Sequence, residues 1–415
     1  MRPPLSKELW RRADLAAAAR DPLSLAFTQY NGKQRKLIYE PLSFYTPMER
    51  LAAGGAGAGL ARGWRVSRLD VARREAELRA PGQPPASVRF DKCLIATGSV
   101  AKRLPALAPA AAAGRALALH SVRDVGRLAR ALQEPATRRV CVVGGGLLAA
   151  ELAASLAERL RGTGVGVVQV YREPAPLAEL LPRYLADDAA RRLQEHDITL
   201  LPDSQYLSSC TVEDGRVHMQ LRRAAGAGAG PSALVADVVV ECVGAEPAVE
   251  LAEGAGLELH PELGGIVVNA ELQARSGVWV AGDAACFHDV ALGRRRVTHH
   301  DHAVLSGRRA AQNMAGERAP EPYSHQSMFW SDLGPQLGYE AIGIVDSRLP
   351  TVGVFSADAV SSAHGEPAVE AVAAHSEEVR ERYSLRVPAL SLAAVRTVQT
   401  SNILRLKINI DDMYS

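Results

Sequence analysis

The sequence predicts an α/β fold of parallel strands and packed helices, and three observations support this prediction. The apolar run Arg139–Val143 stops at three glycines and continues into an alanine- and leucine-rich pattern with helical spacing. A second apolar run, Val278–Val280, ends shortly before Gly282 and Asp283. The chain of 415 residues has 35 glycines and only 5% aromatic residues, a composition that lets helices pack closely against a sheet.

Charge and composition exclude several classes of protein. The net charge of +2 is too balanced for a dedicated nucleic-acid-binding protein. No apolar run approaches the roughly 18 residues of a membrane span, and the N-terminus shows neither a signal peptide nor a transit peptide. The five cysteines form no C-x-x-C pair, so neither a dithiol redox centre nor a metal site is expected. We expect all five cysteines to be small buried residues at strand ends instead.

Short strands dominate the first hundred residues. Val66–Leu69 and Ala76–Leu78 are expected to form a small meander, and the strand within Lys92–Ser99 ends at Ala-Thr-Gly, where bare backbone can pass beside a dinucleotide. Arg2 and Lys7 lie in a proline-containing loop and could meet a phosphate or carboxylate. Solvated surface charge is the more ordinary interpretation of these two residues alone.

The glycines after Val143 form the pattern G-x-G-x-x-A between a strand and a helix. Gly144 allows the turn, Gly146 lets a pyrophosphate approach, and Ala149 keeps the helix against the strand. The helix N-terminus supplies backbone amides and the positive end of a dipole. A dinucleotide site is therefore predicted here.

Glu173 follows the next strand, Gly166–Tyr171, and occupies the place of the acidic residue that holds the adenosine ribose. An acidic side chain accepts hydrogen bonds from a 2′-hydroxyl and repels a 2′-phosphate, so NAD is favoured over NADP. Adjacent Arg172 weakens this preference. Beyond it we predict a helix at Leu180–Leu193, a hairpin that pairs Val212–Leu221 with Leu234–Glu241, and a strand that ends at Gly244.

Asp283 lies at the carboxyl end of the second apolar run, the edge where open α/β sheets bind ligands. Its carboxylate can accept hydrogen bonds from a polyol or a ribose. His299 and His300 follow and could lie beside a flavin, although a pair bonded by backbone at a helix start is commoner. Trp330 offers a flat face for a nicotinamide or flavin ring, with core packing as its ordinary alternative.

The order of these segments, a dinucleotide unit inserted before a return to the first unit, resembles that of two-dinucleotide flavoprotein reductases. Five longer runs closely resemble the apoptosis-inducing factor family, within a likeness that extends from Met1 to about Phe355. The runs are Met1-Arg-Pro-Pro-Leu-Ser-Lys-Glu-Leu-Trp10, Trp279-Val-Ala-Gly-Asp-Ala-Ala-Cys-Phe287, Gly293-Arg-Arg-Arg-Val297, His299-His-Asp-His-Ala-Val304 and His325-Gln-Ser-Met-Phe-Trp-Ser-Asp-Leu-Gly-Pro335.

The resemblance implies a glutathione-reductase-like flavoprotein with three domains. The FAD-binding domain would comprise residues 1–100 and 246–325, and an inserted NAD-binding Rossmann-type domain would comprise residues 101–245. A partial C-terminal α+β domain of the dimerisation type would comprise residues 326–415, with a flexible loop at 356–383.

The resemblance also implies a role for individual positions. The FAD-binding positions are Arg2, Lys7, Val66, Arg123, Asp283, His299 and His300. The NAD-binding positions are Gly144, Gly145, Gly146, Leu147, Leu148, Glu173, Gly244, His299, Trp330 and Glu340. The implied function is that of an FAD-dependent NADH oxidoreductase, which passes hydride from NADH to flavin and needs no acid or base side chain.

Partners and location follow from the same resemblance. It implies a homodimer on cofactor reduction, mitochondrial assembly-factor partners, and roles in respiratory-chain maintenance and caspase-independent apoptosis. The implied location is the mitochondrial intermembrane space, with nuclear and cytosolic forms. Non-specific DNA binding could use five basic residues, for which solvated charge or dimer contacts are equally good interpretations. They are Lys102, Arg103, Arg294, Arg295 and Arg296.

Departures from the family pattern suggest a second function. The family places an FAD-binding glycine loop upstream of the Arg-Pro-Pro run in which this chain begins, so an N-terminally truncated isoform or an incomplete gene model is expected. No likeness is expected after Ser384, although Leu404–Ile410 alternates as a half-buried strand would. Four substitutions that could weaken NADH binding are Tyr30, Leu147, Glu179 and Thr298. The alternative is a non-enzymatic protein that binds NAD, protein partners or DNA but holds FAD poorly.

Overall fold

The computed structural model describes residues 26–28, 34–36, 40–223, 233–290, 292–333, 338–349, 351–354, 371–374 and 393–397. Arg2, Lys7 and Tyr30 lie outside these residues, as do Leu404–Ile410 and most of the segment 356–383. The proposed roles and structures of those positions stay predictions.

Short strands and helices alternate along the described chain. The strands are β1 Ala26–Thr28, β2 Gln34–Lys36, β3 Arg65–Asp70, β4 Glu75–Arg79, β5 Ala86–Arg89, β6 Cys93–Ile95, β7 Ser99–Ala101, β8 Ala116–Ala118, β9 Arg139–Val143, β10 Gly166–Val170, β11 Ile198–Leu201, β12 Ser204–Glu213, β13 Arg216–Arg223, β14 Ala233–Ala236, β15 Val238–Glu241, β16 Ala245–Pro247, β17 Ile266–Val267, β18 Gln273–Arg275, β19 Val278–Val280, β20 Ala285–Asp289, β21 Gly293–Arg295, β22 Met328–Asp332, β23 Gly338–Ile342, β24 Thr351–Val354, β25 Ala371–Ala374 and β26 Ala393–Thr397. The helices are α1 Met48–Ala52, α2 Ala108–Ala112, α3 Val122–Leu132, α4 Leu147–Leu160, α5 Arg183–Glu195, α6 Glu250–Gly254 and α7 His300–Ala315, with 3₁₀ turns at Leu42–Phe44, Pro105–Leu107 and Gly282–Ala284.

A five-stranded parallel sheet with the order β11-β10-β9-β15-β8 forms the centre of one half of the protein. Its central strand β9 is buried from Val140 to Val143, because a parallel sheet covered on both faces needs an apolar strand. Helix α4 packs on one face through Leu152 and Leu156, which are fully buried. Truncating either leucine to alanine is expected to cost about 2–5 kcal/mol.

A second group of strands contains the Gly282-Asp283 turn. Strand β19 pairs in parallel with β6, which brings Trp279 opposite Leu94. Strands β3, β4 and β5 form the predicted meander. The antiparallel ribbon β7–β16 connects the two halves, with Ser99 opposite Pro247 and Ala101 opposite Ala245.

Two sequence-based element predictions were wrong in detail. The predicted hairpin turns earlier, because Asp214 and Gly215 both have positive φ (52° and 74°) and form the tight turn between β12 and β13. Strand β14 then pairs with β13, while β15 belongs to the parallel sheet. Helix α5 begins at Arg183 rather than Leu180, because Pro182 occupies its N-cap.

An antiparallel sheet with the order β22-β23-β26-β25-β24 contains the last described strands. Strands β22 and β23 place Trp330 directly opposite Glu340. The last strand, β26, lies beyond Ser384 and pairs with both β23 and β25.

Two further observations concern the described residues as a group. No helix among them is both long and apolar enough to span a lipid bilayer. All five cysteines carry free thiols; Cys93 is half-buried at the start of β6, Cys242 is buried just after β15, and the other three are buried within strands rather than at the predicted strand ends. Burial raises the pKa of the Cys93 and Cys286 thiols above the ordinary value.

Candidate dinucleotide site

The glycine loop joins β9 to α4 and has the geometry that its sequence pattern requires. Gly144 has φ of +130°, and a Cβ there would lie 2.4 Å from the Cys242 carbonyl oxygen. Gly146 is the N-cap residue of α4, and a Cβ there would meet nothing within 4 Å. Ala149 is fully buried on the sheet side of the helix. The loop therefore leaves open space directly in front of the helix N-terminus.

Glu173 lies against this loop. A Cβ on Gly145 would be 2.5 Å from the Glu173 carboxylate oxygen Oε2, and the Glu173 side chain is only 15% exposed. The Leu177 amide donates to the Gly145 carbonyl at 2.7 Å, which folds the segment after β10 back over the loop. Glu173 thus has the position from which an acidic side chain selects the adenosine ribose.

Arg172 is occupied by carboxylates. Its Nε donates to Glu173 at 2.9 Å and its Nη2 to Glu179 at 2.8 Å. The hydrogen bond to Glu173, followed by that to Glu179, raises the pKa of this guanidinium. Arg172, the residue whose charge weakened the predicted preference for NAD over NADP, is therefore held by two carboxylates on the Glu173 side of the loop.

A cavity of about 190 Å³ lies on the opposite side of the glycine loop. It is bounded by the start of α4, the end of β15 and the ribbon β7–β16; its lining includes Ala101, His120, Gly146, Leu147, Leu148, Glu241 and Gly244. Several of these are predicted NAD-binding positions.

His120 and Glu241 line this cavity but were missed by sequence reasoning. His120 precedes the capping box of α3, in which Ser121 and Asp124 exchange hydrogen bonds. Glu241 ends β15, and β15 neighbours β9 in the sheet. Their shared signal is position, because both lie at the carboxyl ends of neighbouring parallel strands, Glu241 as the last residue of β15 and His120 just after β8. Arg123 is exposed, and its predicted role in binding FAD stays a prediction.

Asp283 is positioned by a turn and by a distant serine. Gly282 has φ of +69°, and its amide donates to the buried Ser306 hydroxyl at 2.9 Å. The Ser99 hydroxyl donates to Asp283 Oδ2 at 2.6 Å. Because Ser99 begins β7, the ribbon that borders the cavity also holds the carboxylate predicted for the flavin side.

His299 and His300 lie at the start of α7, where Asp301 anchors the helix. His299 is the N-cap residue, and its ring meets that of Phe329 edge-on with centroids 5.3 Å apart. Burial would raise the pKa of Asp301, but hydrogen bonds from His325 and from the Met328 amide outweigh it and lower that pKa.

The three arginines of the Arg294–Arg296 run are half-buried and bonded inside the protein. Arg294 donates to the Cys286 carbonyl at 3.0 Å, Arg295 contacts the buried Asp289 carboxylate at 3.2 Å, and Arg296 donates to the Leu263 carbonyl at 2.8 Å. Val66, a predicted FAD-binding position, is 39% exposed in β3.

Comparisons with known proteins identify the family. A model described as pyridine nucleotide-disulphide oxidoreductase matches residues 2–307. The chain belongs to this family. A second model, described as the C-terminal part of the mitochondrion-associated apoptosis-inducing factor, matches residues 310–402. This match passes Ser384, where we expected the likeness to end. FAD and nicotinamide dinucleotides are the cofactors of this family.

Individual relatives agree with this assignment. The chain is 41% identical over 361 residues to a putative apoptosis-inducing factor 1, mitochondrial, of Drosophila melanogaster, a match that covers 86% of this chain and 46% of that protein. It is 33% identical over 360 residues to apoptosis-inducing factor 1, mitochondrial, of Dictyostelium discoideum, covering 85% and 62%. The chain thus spans about half to three-fifths of these relatives, and the predicted resemblance is confirmed.

A solved structure confirms the predicted fold class. The ferredoxin reductase for the CYP199A2 system from Rhodopseudomonas palustris superposes with a TM-score of 0.68 over 96% of this chain and 81% of that chain. The sequence identity is 22%, so this likeness concerns the fold. The proposed domain boundaries and site residues stay predictions.

Proposed function

We propose that the protein is an FAD-dependent NADH oxidoreductase that binds NADH at the glycine loop before α4. The observation that carries this proposal is the Glu173 carboxylate packed against Gly145, beside open space at Gly146. Bound FAD would supply the two-electron acceptor for the hydride of NADH. The remaining work of the protein is to bind and orient the dinucleotide.

On the adenosine side, Glu173 would accept hydrogen bonds from the ribose 2′-hydroxyl and repel a 2′-phosphate. The amides of Leu147 and Leu148 would bind the pyrophosphate, since no described side chain caps the N-terminus of α4. The nicotinamide half would extend past Gly146 toward Gly244 and the cavity. Trp330 and Glu340 remain proposals for that half, supported by their cross-strand pairing.

On the flavin side, Asp283 fits a polyol chain, because a half-buried carboxylate at a strand end can accept hydrogen bonds from hydroxyl groups. Ser99 holds one carboxylate oxygen at 2.6 Å and so fixes its direction. His299 and His300 would border the flavin from the start of α7. The roles of Arg2, Lys7, Val66 and Arg123 rest on the family resemblance alone.

We extend the proposal to a mitochondrial protein that dimerises on cofactor reduction, works with assembly factors in respiratory-chain maintenance and takes part in caspase-independent apoptosis. The resemblance further suggests an intermembrane-space location with nuclear and cytosolic forms. Cell fractionation tests the location, and sedimentation with and without NADH tests dimerisation. DNA binding is a weaker proposal, because each of the arginines 294–296 is bonded within the protein.

The visible absorption spectrum of the purified chain tests the proposed activity. We expect flavin bands after incubation with FAD, and bleaching of these bands by NADH under anaerobic conditions. If the protein stays colourless with excess FAD but binds NADH, the proposed activity is wrong and the non-enzymatic NAD-binding alternative takes its place.

A further inference from the structure

Glu241 is a carboxylate buried at the wall of the cavity. It is the last residue of β15, opposite Val143 in β9 and Ala118 in β8. Its side chain has no exposed surface. Burying a carboxylate is unfavourable unless charged and hydrogen-bonding partners compensate. Burial raises the pKa of Glu241, while the Leu104 amide and Arg103 oppose that shift.

Both partners of Glu241 come from the short segment that follows β7. Arg103 Nη2 lies 2.8 Å from Glu241 Oε1, in an ion pair without a well-aligned N–H···O bond. The Leu104 amide donates to Glu241 Oε2 at 2.7 Å. The Arg103 side chain is 46% exposed, so the pair runs from the surface to the buried end of β15.

The same segment is attached to the loop beyond β15. The Lys102 amide donates to the Gly244 carbonyl at 3.1 Å, and a Cβ on Gly244 would lie 3.7 Å from Lys102 Cδ. Residues 102–104 are therefore bonded both to the last residue of β15 and to the following loop that contains Gly244. Among these contacts of the described segment 102–104, only that between Arg103 and Glu241 joins two charged side chains; the other two are hydrogen bonds from backbone amides.

The position of the pair relative to Glu173 indicates which half of a dinucleotide it affects. Glu173 follows β10 on one side of the glycine loop, whereas Glu241 ends β15 on the other side. A dinucleotide whose adenosine ribose lies at Glu173 crosses the loop and places its nicotinamide half at the β15 side. A purely structural salt bridge would have no preference between the two halves.

We propose that Arg103 and Glu241 form a positioning pair, which holds segment 102–104 against β15 and so shapes the wall around the nicotinamide half of NADH. This inference rests on the proposed function. The Glu241 carboxylate has no exposed surface and is held by Arg103 and Leu104, so the pair acts on the ligand through the positions of Gly244 and Ala101.

The test compares NADH with ADP, which keeps the adenosine and pyrophosphate but lacks the nicotinamide nucleoside. The Kd for NADH is measured by titrating the full chain and following the fluorescence of NADH. The Kd for ADP is measured by its competition with NADH. For Arg103→Gln we expect the Kd for NADH to rise about tenfold while the Kd for ADP changes less than about twofold. Arg103→Lys should recover part of the affinity, because it restores the charge without the planar fork.

A graded response at Glu241 sharpens the test. Glu241→Gln retains an acceptor for the Leu104 amide and should weaken NADH binding less than Glu241→Ala, which loses both partners. Arg183→Gln, which breaks an exposed pair with Asp187 in α5, is the control and should leave both affinities unchanged.

The outcomes distinguish the positioning role of the pair from NADH binding itself. Equal weakening of NADH and ADP binding, or no weakening of either, would overturn the positioning role while leaving NADH binding in place. Failure of the unsubstituted chain to bind NADH would overturn the proposed function and this inference together. Urea unfolding of each variant identifies any substitution that acts by loss of folding. The NADH and ADP affinities of the conservative variants Arg103→Lys and Glu241→Gln then decide whether the pair positions the wall around the nicotinamide half.

Discussion

The Asp301 carboxylate and the His325 ring lie 2.7 Å apart, measured from Oδ2 to Nε2. Asp301 is in the first turn of α7, and its carboxylate also accepts the Met328 amide at 2.9 Å. These two contacts fasten the start of α7, beside His299 and His300, to His325 and to Met328, the first residue of β22. Asp301 is 4% exposed, so water competes little for these hydrogen bonds.

We expect Asp301→Asn to lower the free energy of unfolding by about 1–3 kcal/mol, because the buried carboxylate gives up charge-assisted hydrogen bonds. The matched control is Asp346→Asn, which removes a partner of the 88% exposed Arg348 and should cost at most about 0.5 kcal/mol. Urea unfolding measures both. Similar losses in the two variants would contradict a special contribution of the Asp301–His325 contact.

His302 should make stability depend on pH. It is fully buried, and burial lowers the pKa of its ring from 6.5 to about 4. Between these values the unfolded chain binds a proton that the folded protein excludes. The stabilisation is therefore complete above pH 6.5 and is lost as pH falls toward 4, by roughly 3 kcal/mol in total.

Urea unfolding at about pH 7 and about pH 5 tests this expectation. The variant His302→Gln should lose part of the pH dependence, although it also loses the contact between the His302 ring and the Tyr323 hydroxyl at 2.9 Å. The exposed control His288→Gln should keep the pH dependence. An unchanged slope in His302→Gln would assign the acid sensitivity to other groups.

The sequence predicted the features that depend on neighbouring residues. Strand β9 begins and ends where its apolar run does. The glycine loop needs φ values and spacing that its own residues determine. Such features are readable because their partners lie within a few positions.

Contacts between distant residues could not be predicted in this way. Glu241 meets Arg103 and Leu104 across more than 130 positions, and the Arg294–Arg296 run reads as surface charge although each guanidinium binds inside the protein. Burial and partner choice there depend on how the sheets pack. The early turn at Asp214 was a different kind of error, because Asp-Gly is itself a strong hairpin signal.

We expect alanine substitutions at two positions of the glycine loop to differ in their effects on stability and on NADH binding. Gly146→Ala should leave the free energy of unfolding within about 0.5 kcal/mol, since no atom lies near the new methyl group. It should raise the Kd for NADH about tenfold or more, because the methyl group occupies the space of the pyrophosphate. Gly144→Ala should destabilise the fold by at least about 1 kcal/mol, given its φ of +130° and the Cys242 carbonyl.

Urea unfolding and NADH titration of both variants measure this contrast. Normal NADH affinity in Gly146→Ala would contradict a dinucleotide in front of α4. Equal stability of the two variants would show that the backbone at Gly144 can relax.

Replacing Glu173 should change the preference between NADH and NADPH. In Glu173→Ala the 2′-phosphate is no longer repelled, and Arg172 loses its 2.9 Å partner and becomes available to that phosphate. We expect the ratio of the two affinities to shift toward NADPH by about tenfold or more. Glu179→Ala is the control, because Glu179 also binds Arg172 but is 67% exposed. A similar shift in both variants would assign the selectivity to Arg172 alone.

Asp283→Ala should reduce the retention of flavin, because the carboxylate that fits a polyol hydroxyl is removed. Ser99→Ala should have a smaller effect in the same direction, since it keeps the carboxylate but removes the 2.6 Å hydrogen bond that directs it. The FAD-to-protein ratio after gel filtration measures both, with the exposed Asp91→Ala as control. Full retention in Asp283→Ala would contradict its assignment. Equal losses at Asp283 and Ser99 would instead indicate that ribbon β7–β16, rather than the carboxylate, shapes the flavin side.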